Sequence, residues 1–164
     1  MKRIFIAISL LLSVNVFADT TSEMNEYTSV IAENLCQRGD ASSCNSLGTS
    51  YAIGEGVKVD NFKAKELFEK ACDLGSLQGC SNLGVFYFEG KGLRQDYLKA
   101  KELFDKACDG GDAGSCNRSA ILYAEGQGVK QDYSKAKKLF GKACDLGSQS
   151  GCEVYKAFKK QGIK

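Results

Sequence analysis

Apolar and polar positions alternate along this chain with a helical rhythm nested inside a longer period of 36 residues. From Cys44, apolar or small residues recur at Leu47, Gly48 and Tyr51, the i+3, i+4 and i+7 spacing of one helix face. A second stripe follows at Ala64, Leu67, Phe68 and Ala71, with Lys63, Lys65 and Lys70 on the face expected to meet water. Gly54 predicts the stop of the first helix, because glycine takes the positive φ that ends a helix without steric cost. Asp60 predicts the N-cap of the second. The same punctuation returns at Gly90 and Gly126, at Gly56, Gly92 and Gly128, and at Asp96 and Asp132. Small residues at Gly48, Gly84 and Ala120 predict close approach between helices.

Cut at that period, residues 40–75, 76–111 and 112–147 form three full units that share 15 of 36 columns without a gap. A period of this length predicts an all-α solenoid, in which each helix pair buries its apolar face on its neighbours. Thr28, Ile31, Ala32 and Leu35 continue the second-helix stripe, so residues 22–39 are expected to hold a lone leading helix. Residues 148–164 read as a capping helix, since Lys156 and Lys159 replace the small and tyrosine columns on a face that can meet water.

Residues 1–18 change the picture of where this array works. Lys2 and Arg3 precede an apolar stretch from Ile4 to Phe17, and Val16-Phe17-Ala18 supplies a cleavage site, the pattern of a signal peptide. The apolar stretch is too short for a membrane span, so the mature chain is expected to be secreted or periplasmic, with no span after cleavage. Lys2 and Arg3 also account for the net charge of +2. Without them, basic and acidic residues balance, which argues against nucleic acid as the main partner.

Eight cysteines and no histidine define the available chemistry. The missing imidazole excludes Ser-His-Asp and Cys-His nucleophile systems and histidine-ligated zinc. The cysteines alternate at spacings of 8 and 28, each close pair spanning the turn between consecutive helices. That period favours the pairing Cys36–Cys44, Cys72–Cys80, Cys108–Cys116 and Cys144–Cys152. The rival uses are metal binding and redox catalysis. Zinc knuckles need shorter spacing and redox enzymes one exposed, acidic thiol, so structural disulfides are the expected use, with no metal and no cofactor.

Units such as Gly79-Cys-Ser-Asn-Leu-Gly-Val-Phe-Tyr-Phe-Glu-Gly-Lys-Gly92, followed by Asp96-Tyr-Leu-Lys-Ala-Lys-Glu-Leu-Phe-Asp-Lys-Ala-Cys108, resemble Sel1-like repeats, relatives of the tetratricopeptide repeat. The cysteine pair eight apart resembles the Helicobacter cysteine-rich protein family, over residues 22–164. The resemblance implies a right-handed superhelical solenoid of disulfide-bridged helix pairs. It also implies a link to β-lactamases, with slow hydrolysis of penicillin and cephalosporin derivatives.

Two functions compete. A serine β-lactamase needs an activated serine, usually in S-x-x-K, accompanied by S-D-N and K-T-G. The chain offers one S-x-x-K, Ser134 with Lys137, and neither companion. Ser134 also opens a helix beside the cap Asp132, where serine needs no catalytic role. A binding module is the preferred reading. Asn45, Ser81 and Asn117 form one column of the first helices, with Asn82 and Arg118 in the next. Such groups both donate to and accept from an extended backbone, and the alternative is that they start a helix or face solvent. The expected partner is an extended peptide, a peptidoglycan fragment, a β-lactam, or a protein. Gly-x-Gly is read as a turn and not a phosphate loop, and the sequon Asn117-Arg-Ser119 as chance beside a bridged cysteine.

Overall fold

Local backbone chemistry divides the chain into short helices of nearly equal length. In the computed structural model, residues 27–162 are described. The expected signal peptide at 1–18 and the start of the leading helix at 22–26 lie outside them. Among the described residues there are eight helices and no strand: α1 (27–37), α2 (Ala41–Ile53), α3 (Asn61–Asp73), α4 (Leu77–Glu89), α5 (Tyr97–Asp109), α6 (Ala113–Glu125), α7 (Tyr133–Asp145) and α8 (Gln149–Lys160). Asp60, Asp96 and Asp132 cap the second helices of the units, each accepting from the backbone N–H three residues on. Gly54, Gly90 and Gly126 end the first helices in the left-handed conformation.

The first helices begin earlier than the apolar stripe suggests. α2 starts at Ala41, not near Cys44, because Asp40 caps it, and Ser76, Asp112 and Ser148 act alike on α4, α6 and α8. Apart from Leu77, their first turns hold only small or polar residues, so hydrophobic periodicity does not register them. Replacing Asp96 by alanine removes its 3.0 Å hydrogen bond from Lys99 N. The expected cost is about 1 kcal/mol, seen as a modest drop in thermal midpoint with unchanged circular dichroism at low temperature.

Helices pack in order along the chain: α2 on α3, α3 on α4, and so to α8. α2 also meets α4 directly. Phe68 and Phe104 fill the joint between the two helices of a unit, opposite glycine. A Cβ on Gly84 would lie 2.6 Å from Phe104 Cε1, and one on Gly48 2.8 Å from Phe68 Cε1. The main core joins Phe68, Leu83, Phe86, Tyr87, Phe104 and Leu122 across three units.

All eight cysteines are bridged, as Cys36–Cys44, Cys72–Cys80, Cys108–Cys116 and Cys144–Cys152. Each bridge ties the end of one helix to the first turns of the next. The first three pack on the buried Ala71, Ala107 and Ala143 of the following unit.

Lysines of the second helices lie over tyrosine rings at the surface, Lys63 partly buried and Lys99 and Lys135 exposed. Lys63, Lys99 and Lys135 lie 4.4, 4.6 and 4.4 Å above the rings of Tyr51, Tyr87 and Tyr123. Lys63 also donates to the Tyr51 hydroxyl at 2.7 Å, which raises its pKa above that of ordinary lysine. The long apolar stem lies along the ring while the ammonium meets its negative face.

Candidate functional site

The polar columns of the first helices turn out to brace those helices against one another. Asn82 Nδ2 donates to Asn45 Oδ1 at 2.9 Å, joining α4 to α2. Ser115 Oγ donates to Ser81 Oγ at 2.9 Å, and Arg118 Nη1 reaches the same oxygen at 3.4 Å, joining α6 to α4. Ser81 is only 4 % exposed, so its hydroxyl is committed to this packing. Asn117 Nδ2 donates to Ser148 Oγ at 2.7 Å and Ser150 Oγ at 3.2 Å. Val154 occupies the column of Asn82 and Arg118 and cannot donate, and the buried Asn117 Oδ1 has no hydrogen-bond partner.

Beside this ladder lies an apolar slot of about 230 Å³ between neighbouring first helices. α4 supplies Val85, Phe88 and Glu89, α5 supplies Phe104, and α6 supplies Arg118 and Ile121. The Arg118 guanidinium sits 5.8 Å above the Phe104 ring, which holds it at the rim. Glu89 and Arg118 are exposed, and Ile121 is 40 % exposed. The slot can take one apolar side chain, with an acceptor and a donor beside it for backbone groups. Of these residues the sequence singled out Arg118 alone. A signal for the slot exists at Phe88, whose column holds the small Ala52 and Ala124 in the other units.

Ser134 and Lys137 lie one turn apart on α7 and line a groove of about 370 Å³ against α8. Lys138, Gly141, Lys142, Asp145 and Tyr155 complete it. The groove is open and rich in ammonium groups, unlike the water-excluding cleft in which acyl transfer is carried out. The Asn117-Arg-Ser119 sequon lies within the packing: Ser119 is fully buried and its hydroxyl pairs with Asp105. Among the described residues no group of His, Cys, Asp and Glu is placed to hold a metal ion, and no helix is long and apolar enough to cross a membrane.

These features define an all-α solenoid of disulfide-bridged helix pairs. The chain belongs to the Sel1 repeat family, whose model matches residues 41–76, 77–112 and 113–148. It is similar in structure to Helicobacter pylori cysteine rich protein B, with 29 % identity and a TM-score of 0.67 over 82 % of this chain and 96 % of that one. A Sel1 repeat protein from Oxalobacter formigenes gives 29 % identity and a TM-score of 0.71 over 76 % of this chain and 51 % of that one. A protective antigen of uropathogenic Escherichia coli, displaying an SLR fold, gives 25 % identity and a TM-score of 0.54, over 82 % of this chain and 37 % of that one. The chain therefore spans about half of the Oxalobacter protein and under half of the Escherichia coli antigen. No curated protein sequence matches it.

Proposed function

We propose that this is an exported Sel1-repeat protein that binds an extended peptide, from a protein or from the cell wall, along the face formed by its first helices. The observation that carries this reading is the slot between α4 and α6, apolar at its base and edged by Glu89 and Arg118. A side chain entering it leaves the flanking backbone against those two rim charges, the usual division between an apolar anchor and orienting polar groups. Helical repeat arrays present extended surfaces of this kind. Export is supported by four disulfides, which persist in oxidising compartments and are rare in the cytosol. N-terminal sequencing of the mature protein is expected to begin at Asp19.

Selection from a displayed peptide library tests the binding. Selected peptides are expected to share one large apolar residue. Ile121→Asp, which places a charge at an exposed position in the slot, is expected to weaken them by about tenfold or more with the thermal midpoint preserved. Soluble peptidoglycan stem peptides and a penicillin are titrated in parallel to identify the ligand class. Failure to select any peptide, or affinity indifferent to Ile121→Asp, overturns the proposal.

A further inference from the structure

On the second helix of the third unit, two columns that are acidic in the first two units lose their negative charge. Glu66 and Glu102 give way to Lys138 in the same column. Glu69 and Asp105, which pair with Lys65 and Lys101 at 2.9 Å, give way to Gly141. These changes coincide with the groove between α7 and α8. They belong to a larger asymmetry: residues 133–164 carry eight lysines against Asp145 and Glu153, while residues 19–132 carry 12 basic and 18 acidic residues. The near-zero charge of the mature chain thus conceals a basic end.

We infer that this groove is an anion-binding site for a glycan polymer bearing phosphate or sulfate groups. Lys137, Lys138 and Lys142 supply ammonium donors along one wall, and Ser134 adds a hydroxyl. Lys142 reaches the site from an ion pair with Asp109 at 2.7 Å, a partner whose side chain is largely in water, so the pair is weak and exchangeable. Asp145 is the one carboxylate among the lining residues. Gly141 lets the Tyr155 ring pack close against α7, since a Cβ there would lie 3.2 Å from the ring. That ring carries Lys159 Nζ 5.2 Å above it, which adds a further ammonium beside the groove.

A concave groove does not fit a flat lipid surface. α8 adds no large exposed apolar side chain that would insert into one. The choice of a glycan over a nucleic acid rests on the proposed export, which N-terminal sequencing assesses independently. The groove shares no lining residue with the slot between α4 and α6.

The experiment titrates the oxidised protein with a heparin-derived sulfated oligosaccharide, with a DNA oligonucleotide of equal charge and with vesicles of anionic phospholipid. Lys138→Glu restores the residue type of the first two units and is expected to weaken oligosaccharide binding by about tenfold. Lys70→Glu, the same charge change on the exposed face of the first unit, is expected to leave it unchanged, as is Ile121→Asp in the slot. Circular dichroism confirms that each variant is folded. Absence of binding, equal losses in Lys138→Glu and Lys70→Glu, or tighter binding to DNA or vesicles overturns the inference.

Discussion

Full reduction of the native protein is expected to unfold it, with loss of the helical circular dichroism signal and all eight thiols reactive without denaturant. Each bridge closes a loop of about nine residues and stabilises the fold by roughly 2.5 kcal/mol through the entropy of the unfolded chain. Four together supply on the order of 10 kcal/mol, within the range of a small domain's entire net stability. Their placement adds to this. Each links one helix pair to the next, so reduction weakens the contacts between neighbouring units on which a repeat array depends. Removing bridges singly should give a gradient. Cys72 and Cys80 are buried in the middle of the array, whereas Cys144 and Cys152 are half-exposed at its end. Replacing the first pair by alanine is expected to lower the thermal midpoint more than replacing the second. Retention of the helical signal after complete reduction would show that packing alone holds the solenoid.

Phe104→Ala should be the most destabilising single apolar truncation, by about 3–5 kcal/mol. Phe104 is 1 % exposed, lies against Gly84, and joins the core that spans three units. Its neighbours cannot collapse into the space, because α4 and α5 are already held at glycine distance. The same ring floors the slot and carries Arg118 above it. The variant should therefore also lose peptide affinity and bind an apolar dye more strongly. Phe62→Ala is the contrasting control. Phe62 is 69 % exposed on α3, and its loss should change stability by about 0.5 kcal/mol or less. Chemical denaturation of the two variants checks both values.

The helices, their glycine stops and the aspartate caps of the second helices were legible in the chain because each depends on residues at most a few positions apart. Gly54, Gly90 and Gly126 announce their helix ends wherever the rest of the protein lies. The period of 36 did the same for the stacking, since one helix pair repeated in tandem can bury its apolar stripe only on its own copies. Even so, the caps of the first helices passed unnoticed, because Asp40 and Ser76 precede turns with no apolar stripe to point at them.

What the columns of polar residues do is a matter of tertiary structure. Asn45 and Asn82 look like two open carboxamides in sequence, yet the step between units lets Asn82 Nδ2 donate to Asn45 Oδ1 at 2.9 Å. Ser81 is buried for the same reason, and Lys63 lies over a tyrosine twelve residues earlier in the chain. The slot also joins α4 to α6, whose contributions come from positions about one period apart. The sequence by itself determined the repeating unit, its helices and the all-α solenoid, because these follow from local periodicity and capping. The tertiary structure alone decided which polar groups remain available and where the surface is hollow, because those depend on the register between one unit and the next.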